Sequence, residues 1–260
     1  MNARDQQWPL GSTTVYGTLM VPNGTGPFPA VVMVAGSGPT DRDWNSPLLP
    51  GTNGSARLIA EALAKRGIAS IRYDKRAAGP HAKETMLQLI GKVSMQSHLD
   101  ELAGAVAALA VHPQVRRDRI FGFGNSEGTL HLLNYQLSQP AVALAGLVLT
   151  GMPGRTIGDV ARSQLAAQLA PVPNGAEIMR LYDAAAARFA AEQPIDPDPS
   201  LPPSIQALLK SLETPMNLPF TRELWSANPS QLLGRVDVPT LVVIGKKDVQ
   251  IDWEIDGAPL

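Results

Sequence analysis

A chain of 260 residues with 44% hydrophobic and 17% charged residues is long enough for one sizeable core, alone or with an inserted subdomain. Its net charge of −1 is not the basic balance of a partner for nucleic acid or an anionic membrane, and a small neutral substrate suits it better. The absence of cysteine removes disulfides, thiolate metal sites and cysteine nucleophiles.

The first ten residues, MNARDQQWPL, carry charges of both signs and lack the apolar stretch of a signal peptide. No window approaches a membrane span, so the expected location is the cytoplasm. Residues 13–21 hold Val15, Tyr16, Leu19 and Val21 and read as a strand closed by the turn-forming PNGTGPFP. AVVMVAG at 30–36 is an uninterrupted apolar run, the mark of a strand covered on both faces in a parallel sheet.

Leu58, Ile59, Ala62 and Leu63 then fall at helical spacing, Gly67 stands where a helix would end, and IASIRYD at 68–74 is the next strand. A second copy of this unit places Leu99, Leu102, Ala103, Val106 and Ala110 on a helix and follows it with the strand RIFGF at 119–123. The helix-like TLHLLNYQL and the strand LAGLVLTG at 144–151 continue the alternation. Such alternation predicts a doubly wound α/β sheet with its chemistry in loops at the C-terminal strand ends.

From about Arg155 to Leu233 the pattern is helical and interrupted by the proline-rich QPIDPDPSLPPS, before PTLVVIGKKD at 239–248 resumes the sheet. The expected division is a core over 1–154 and 234–260 with a helical cap over 155–233. The cap's Leu165, Leu169, Tyr182, Phe189, Leu208, Leu209, Leu224 and Trp225 read mostly as its own core. Some of them, with Trp44 and Trp253, are candidates to line an apolar acyl or aryl pocket.

Gly124-Asn125-Ser126-Glu127-Gly128 fits Gly-x-Ser-x-Gly between a strand and a helix. A tight turn there exposes the serine hydroxyl, and glycines two residues away on each side remove colliding side chains. Ser126 is therefore the candidate nucleophile. An oxyanion needs N–H donors, and the candidates are the backbone of Glu127 and of Ser37, in the loop after the buried strand. Asp41, Arg42 and Asp43 in that loop read as a local salt-bridged scaffold. Asp248, at the end of the last strand, is the candidate triad acid, with Asp252 and Asp256 weaker alternatives deeper in the loop.

Four motifs in order resemble serine hydrolases of the α/β-hydrolase superfamily, in a bacterial esterase-like branch: GSGPTDRD at 36–43, RYDKRA at 72–77, GNSEG at 124–128 and GKKDVQID at 245–252. The resemblance implies ester hydrolysis without a cofactor, Ser126 as nucleophile and Asp248 as acid. Asn125 stands where the branch often has histidine, and Ala77-Ala78-Gly79-Pro80 replaces a more glycine-rich continuation. The branch's basic histidine follows the acid, whereas this sequence reaches Leu260 twelve residues after Asp248 with no histidine between.

His131 lies five residues into the helix that Ser126 begins and is expected to point away from the nucleophile. His98 is placed just before a helix, His112 at the opposite end of the sheet, and His81 in a solvated loop. The expectation is a base supplied by a separate C-terminal piece or a partner chain, which would also cover an apolar flank along TLVVIG. The expected partner is a small-molecule ester, with no metal, nucleic acid or membrane. Acyl transfer and amide or lactone cleavage use the same groups, and a catalytically silent binding protein is the reading from another class.

Overall fold

The computed structural model of the chain describes residues 1–48 and 50–260. Seven strands form one sheet: β1 (Asn2–Leu10), β2 (Thr13–Val21), β3 (Phe28–Val34), β4 (Ala69–Tyr73), β5 (Val115–Asn125), β6 (Leu147–Thr150) and β7 (Thr240–Val243). Their spatial order is β1-β2-β4-β3-β5-β6-β7, antiparallel from β1 to β4 and parallel from β4 to β7. The order reverses around β3, so the loops after β3 and β5 leave neighbouring strand ends. This is the doubly wound, mostly parallel α/β sheet that the alternation predicts, with two antiparallel strands added at one edge.

Side-chain alternation assigns the two faces. Val32 and Val34 of β3 point to one face with Leu19, Ile71 and Ile120, under α3 (Met95–Ala110) and α4 (Glu127–Leu137). Met33 points to the other face with Met20, under α1 (Ser55–Ala64). A strand sandwiched in this way buries every other side chain on each side, which is why its sequence is continuously apolar.

The buried stripe of α1 is Ala56, Ala60 and Ala64, whereas Leu58, one of the apolar residues at helical spacing, is 52% exposed. Alanines at four-residue spacing let the helix backbone approach the sheet closely, so the small residues face inward and the larger leucine is displaced outward. His98 lies inside α3 and not before it, because Ser94 and Ser97 form a reciprocal cap that starts the helix earlier. His81 stands at the N-cap position of α2 (Ala82–Leu89), a short helix absent from the sequence reading, and stacks on Tyr16 at 3.8 Å.

Strand β1 was also not anticipated. Its Trp8 lies on α3 at Gly104, where a Cβ would stand 2.2 Å from the indole nitrogen, and its ring meets Tyr73 edge-on. Only a residue without a side chain admits that contact.

Between β6 and β7 lie α5 (Ile157–Leu169), α6 (Gly175–Ala190), α7 (Pro203–Leu212), α8 (Phe220–Ser226) and α9 (Pro229–Leu233). They enclose a second cluster built from Leu165, Ile178, Tyr182, Phe189, Ile205 and Leu209, with Trp225 and Leu169 packed against it. Leu208, by contrast, is exposed. Among the described residues no helix is long and apolar enough to cross a membrane. Among the described residues strand β7 pairs with β6 alone, and its Leu241 and Val243 are 58% and 46% exposed while Val242 packs on the core.

Candidate active site

Strand β5 ends at Asn125 and α4 begins at Glu127, leaving Ser126 as the hinge with φ 52° and ψ −122°. An L residue rarely adopts this backbone, and such strain, of order 1–3 kcal/mol, persists only where the surroundings impose it. Here the surroundings are visible. The Ser126 N–H donates to the Thr150 carbonyl at 2.8 Å, and the Ser126 carbonyl accepts from the Thr129 N–H at 3.0 Å and its hydroxyl at 2.6 Å. Ser126 itself is half-buried rather than enclosed.

The flanking glycines are sterically required. A Cβ on Gly124 would lie 2.8 Å from the Gly128 carbonyl oxygen, and one on Gly128 would lie 2.4 Å from the Val34 oxygen. Gly36, the first residue of the GSGPTDRD segment, also approaches the turn, less tightly: its Cβ would stand 3.3 Å from the Ser126 Cβ. The loop after β3 therefore rests directly against the turn that carries Ser126. Ser37 is exposed and its N–H finds no acceptor among the described residues. Glu127 opens α4, where the backbone N–H has no intrahelical partner and the helix presents its positive end.

The charged residues of these motifs pair with one another. Arg42 reaches Asp74 through two nitrogens, at 3.1 and 2.6 Å, and Arg72 donates to Asp43 at 2.8 Å. These pairs span about thirty residues, which corrects the expectation of a local scaffold; only Asp41 acts locally, accepting from the N–H groups of Asp43 and Asn45. Lys75 meets the Glu127 carboxylate at 2.5 Å and the Gly36 carbonyl at 2.9 Å. Arg76 pairs with Glu101. Each of the four charged residues in RYDKR thus ties the end of β4 to a different neighbour.

Burial by itself would raise the Glu127 carboxyl; the Lys75 ammonium and the hydrogen bond to His131 overcome it and hold the group well below the usual carboxylate range. Burial pushes the His131 imidazole down to about 4, against the attraction of Glu127. A neutral His131 donates from Nε2 to Glu127 at 3.1 Å and leaves Nδ1 buried without a partner among the described residues.

Across the rim, the Asp248 carboxylate lies beside Gly151: Oδ2 stands 3.7 Å, and Asn125 Oδ1 3.9 Å, from where a Gly151 Cβ would be. Gly151 follows Thr150, whose carbonyl holds the Ser126 N–H, so Asp248 and Ser126 occupy the same edge of the sheet. Asp248 Oδ1 accepts from the N–H groups of Gln250 and Ile251 at 2.8 and 3.1 Å. Asp256 is different, being fully buried and held by both ends of the Arg155 guanidinium at 3.0 Å and by the Gly154 N–H. Asp252 accepts from the N–H groups of Glu254 and Ile255 and serves its own turn. Of the three carboxylates, Asp248 is the one whose Oδ2 lies beside Gly151, next to the residue whose carbonyl holds the Ser126 N–H.

None of the four histidines joins Ser126 to Asp248. His131 is bound to Glu127, His98 to Glu101 at 3.3 Å, and His81 to Glu84 at 3.2 Å, while His112 accepts from the Gln114 N–H. Trp44 stacks on Phe123 at 5.5 Å, and Lys246 lies over the Trp253 ring at 4.8 Å. The described residues form no group of three His, Asp or Glu side chains placed to hold a metal ion.

No protein-family model matches the chain. Esterase EstD of Thermotoga maritima is 26% identical over 239 residues, covering 90% of this chain and 50% of that protein. The chain thus spans about half the length of the curated relative it matches. Among solved structures, the α/β hydrolase GrgF from Penicillium sp. superposes with a TM-score of 0.59 at 18% identity, over all of this chain and 85% of that one. Proline iminopeptidase from Mycobacterium smegmatis gives 0.59 at 17% identity, over 99% of this chain and 87% of that one. At these identities the likeness establishes the α/β-hydrolase fold.

Proposed function

We propose that the protein is a serine esterase that cleaves carboxylic esters of small, largely apolar substrates through an acyl-enzyme on Ser126. The observation that carries this reading is the left-handed backbone of Ser126 at a strand-to-helix turn, packed against the Gly36 loop and facing the Asp248 rim. Strain of this kind on a serine is compensated by its surroundings and has no packing purpose of its own, because the side chain is half exposed. The relation to an esterase over 90% of the chain adds support.

In the proposed reaction Ser126 Oγ attacks the ester carbonyl carbon while its proton passes to a histidine base. The carbonyl oxygen becomes an oxyanion that the N–H groups of Ser37 and Glu127 receive. Collapse breaks the ester C–O bond, and the base returns the proton to the departing alkoxide. Water, deprotonated by the same base, then attacks the acyl-enzyme and releases the acid. Asp248 orients the base and stabilises its charged form. Because the four histidines of residues 1–260 are engaged elsewhere, we propose that the base comes from outside this segment, from further chain or a partner chain. The helices of 155–233 are proposed to form a cap through which the apolar substrate enters.

Hydrolysis of a panel of nitrophenyl esters by the full-length protein tests the reading. Short- and medium-chain acyl esters are expected to turn over, and Ser126→Ala is expected to lower kcat by at least about 10³-fold. Turnover unchanged in Ser126→Ala would refute it.

A further inference from the structure

We infer that Lys75, held in place by a buried ion pair with Glu127, is a positioning residue that aims one oxyanion donor through its hydrogen bond to the Gly36 carbonyl. The inference rests on the esterase reading and deepens it. Lys75 and Glu127 are both almost fully buried, and the ammonium has two acceptors: the Glu127 carboxylate and the Gly36 carbonyl. A peptide unit is planar and trans, so its C=O and its N–H point in opposite directions. The Gly36 carbonyl shares its peptide unit with the Ser37 N–H. By drawing that carbonyl inward, Lys75 turns the Ser37 N–H outward, to the exposed side of the loop beside Ser126.

Three further bonds restrain the same loop. The Thr40 hydroxyl donates to the Ser37 carbonyl at 2.9 Å, the Thr40 N–H donates to the Gly38 carbonyl, and the Lys75 backbone N–H donates to the Thr40 carbonyl at 3.3 Å. Lys75 therefore grips the loop at both ends, by side chain at Gly36 and by backbone at Thr40. Its counter-ion Glu127 is the residue whose own N–H is the second donor, so one ion pair connects the two donor-bearing segments. The pair is close to neutral overall, which makes its contribution geometric rather than a field acting on the oxyanion.

Three variants of the full-length protein test the inference: Lys75→Met, Glu127→Gln and the double variant. Each is measured for kcat, KM and inhibition by an alkylboronic acid, a tetrahedral mimic that places an oxygen where the oxyanion forms. Deleting one oxyanion donor typically costs about 10²–10³-fold in kcat, so misaiming one is expected to cost about 10- to 100-fold. That loss is expected in Lys75→Met and in the double variant, with KM within about threefold and boronate binding weakened in parallel. Glu127→Gln keeps the Lys75 bond to Gly36 and is expected to lose less than Lys75→Met. The double variant leaves no unpaired buried charge, and its cooperative thermal unfolding would separate misaiming from misfolding.

A folded double variant with parental kcat and boronate affinity would overturn the inference. Should the double variant not fold, equal losses in the two single variants would overturn it instead. A parent that hydrolyses no ester and binds no boronate would overturn the esterase reading and this inference with it, a different result from an active parent with insensitive variants.

Discussion

The two sides of the candidate site are built differently. On the nucleophile side, the ends of β3, β4 and β5 are locked by buried or half-buried charge pairs: Arg42 with Asp74, Arg72 with Asp43, Lys75 with Glu127 and Arg76 with Glu101. On the acid side, Asp248 sits in an exposed loop, oriented by two backbone N–H groups, and the single buried pair, Arg155 with Asp256, is eight residues further on. Strained backbone needs a rigid surround, and Ser126 has one. The proposed acid, Asp248, keeps Oδ2 without a hydrogen bond among the described residues, as an acid that must meet an imidazole would need.

The sharpest way to break this comparison is to neutralise the two carboxylates separately. Asp248→Asn is expected to lower kcat by about 10²–10⁴-fold while leaving thermal stability within about 0.5 kcal/mol. Asp256→Asn is expected to do the reverse, costing of order 3 kcal/mol in denaturant unfolding because the Arg155 guanidinium loses its counter-charge, with kcat retained in the folded fraction. Exchange of these two outcomes would show that Asp256 is the acid.

A smaller effect probes the nucleophile side through pH. The His131 imidazole titrates near 6.5 when unfolded and at about 4 when folded. Between those values the unfolded chain binds more protons, so stability is full above about pH 6.5 and falls as the pH drops toward 4. Glu127, ionised throughout this range in the folded protein, adds a smaller loss of the same sign only as the pH approaches its ordinary 4.5, where the unfolded carboxyl begins to protonate. The Lys75 ammonium adds to the cost of protonating His131, and so does any positive charge on the neighbouring His98 ring. Urea unfolding from pH 7 to 4.5 is therefore expected to lose about 2 kcal/mol, and His131→Gln is expected to flatten most of that slope. An unchanged slope in the variant would place the acid sensitivity elsewhere, for instance at His112, which is lowered by burial and by Arg4.

The smallest effect concerns Ala77, which holds φ 54° where the resembled branch has glycine. Ala77→Gly is expected to gain about 0.5–1 kcal/mol in unfolding free energy, since glycine adopts that backbone without a Cβ penalty. A loss of stability would mean that the methyl group packs to more effect than its backbone costs.

Much of this architecture was legible because its causes are local. Continuous valine runs report a strand covered on both faces, and the glycines around Ser126 report a turn with no room for side chains. What was not legible depends on residues distant in the chain. Strand β1 is the hairpin partner of β2, but Arg4, Asp5, Gln6 and Gln7 hide its pattern, and its anchoring contact, Trp8 on Gly104, lies almost a hundred residues away. The inward face of α1 is hard to read because its three alanines carry little hydrophobic signal, although they permit a close approach to the sheet. The charges of GSGPTDRD and RYDKRA were visible as motifs, but their mutual pairing, and with it the link from Lys75 to both donor segments, exists only once β3 and β4 lie side by side. The distinction between Asp248 and Asp256 likewise required Arg155, from the start of the helical segment.

The most direct test of Ser126 as nucleophile is covalent. Full-length protein incubated with a fluorophosphonate, digested and mapped by mass spectrometry is predicted to carry one adduct, on the peptide containing Ser126, and to lose it in Ser126→Ala. No adduct, or an adduct that persists in the variant, would contradict the account at its centre.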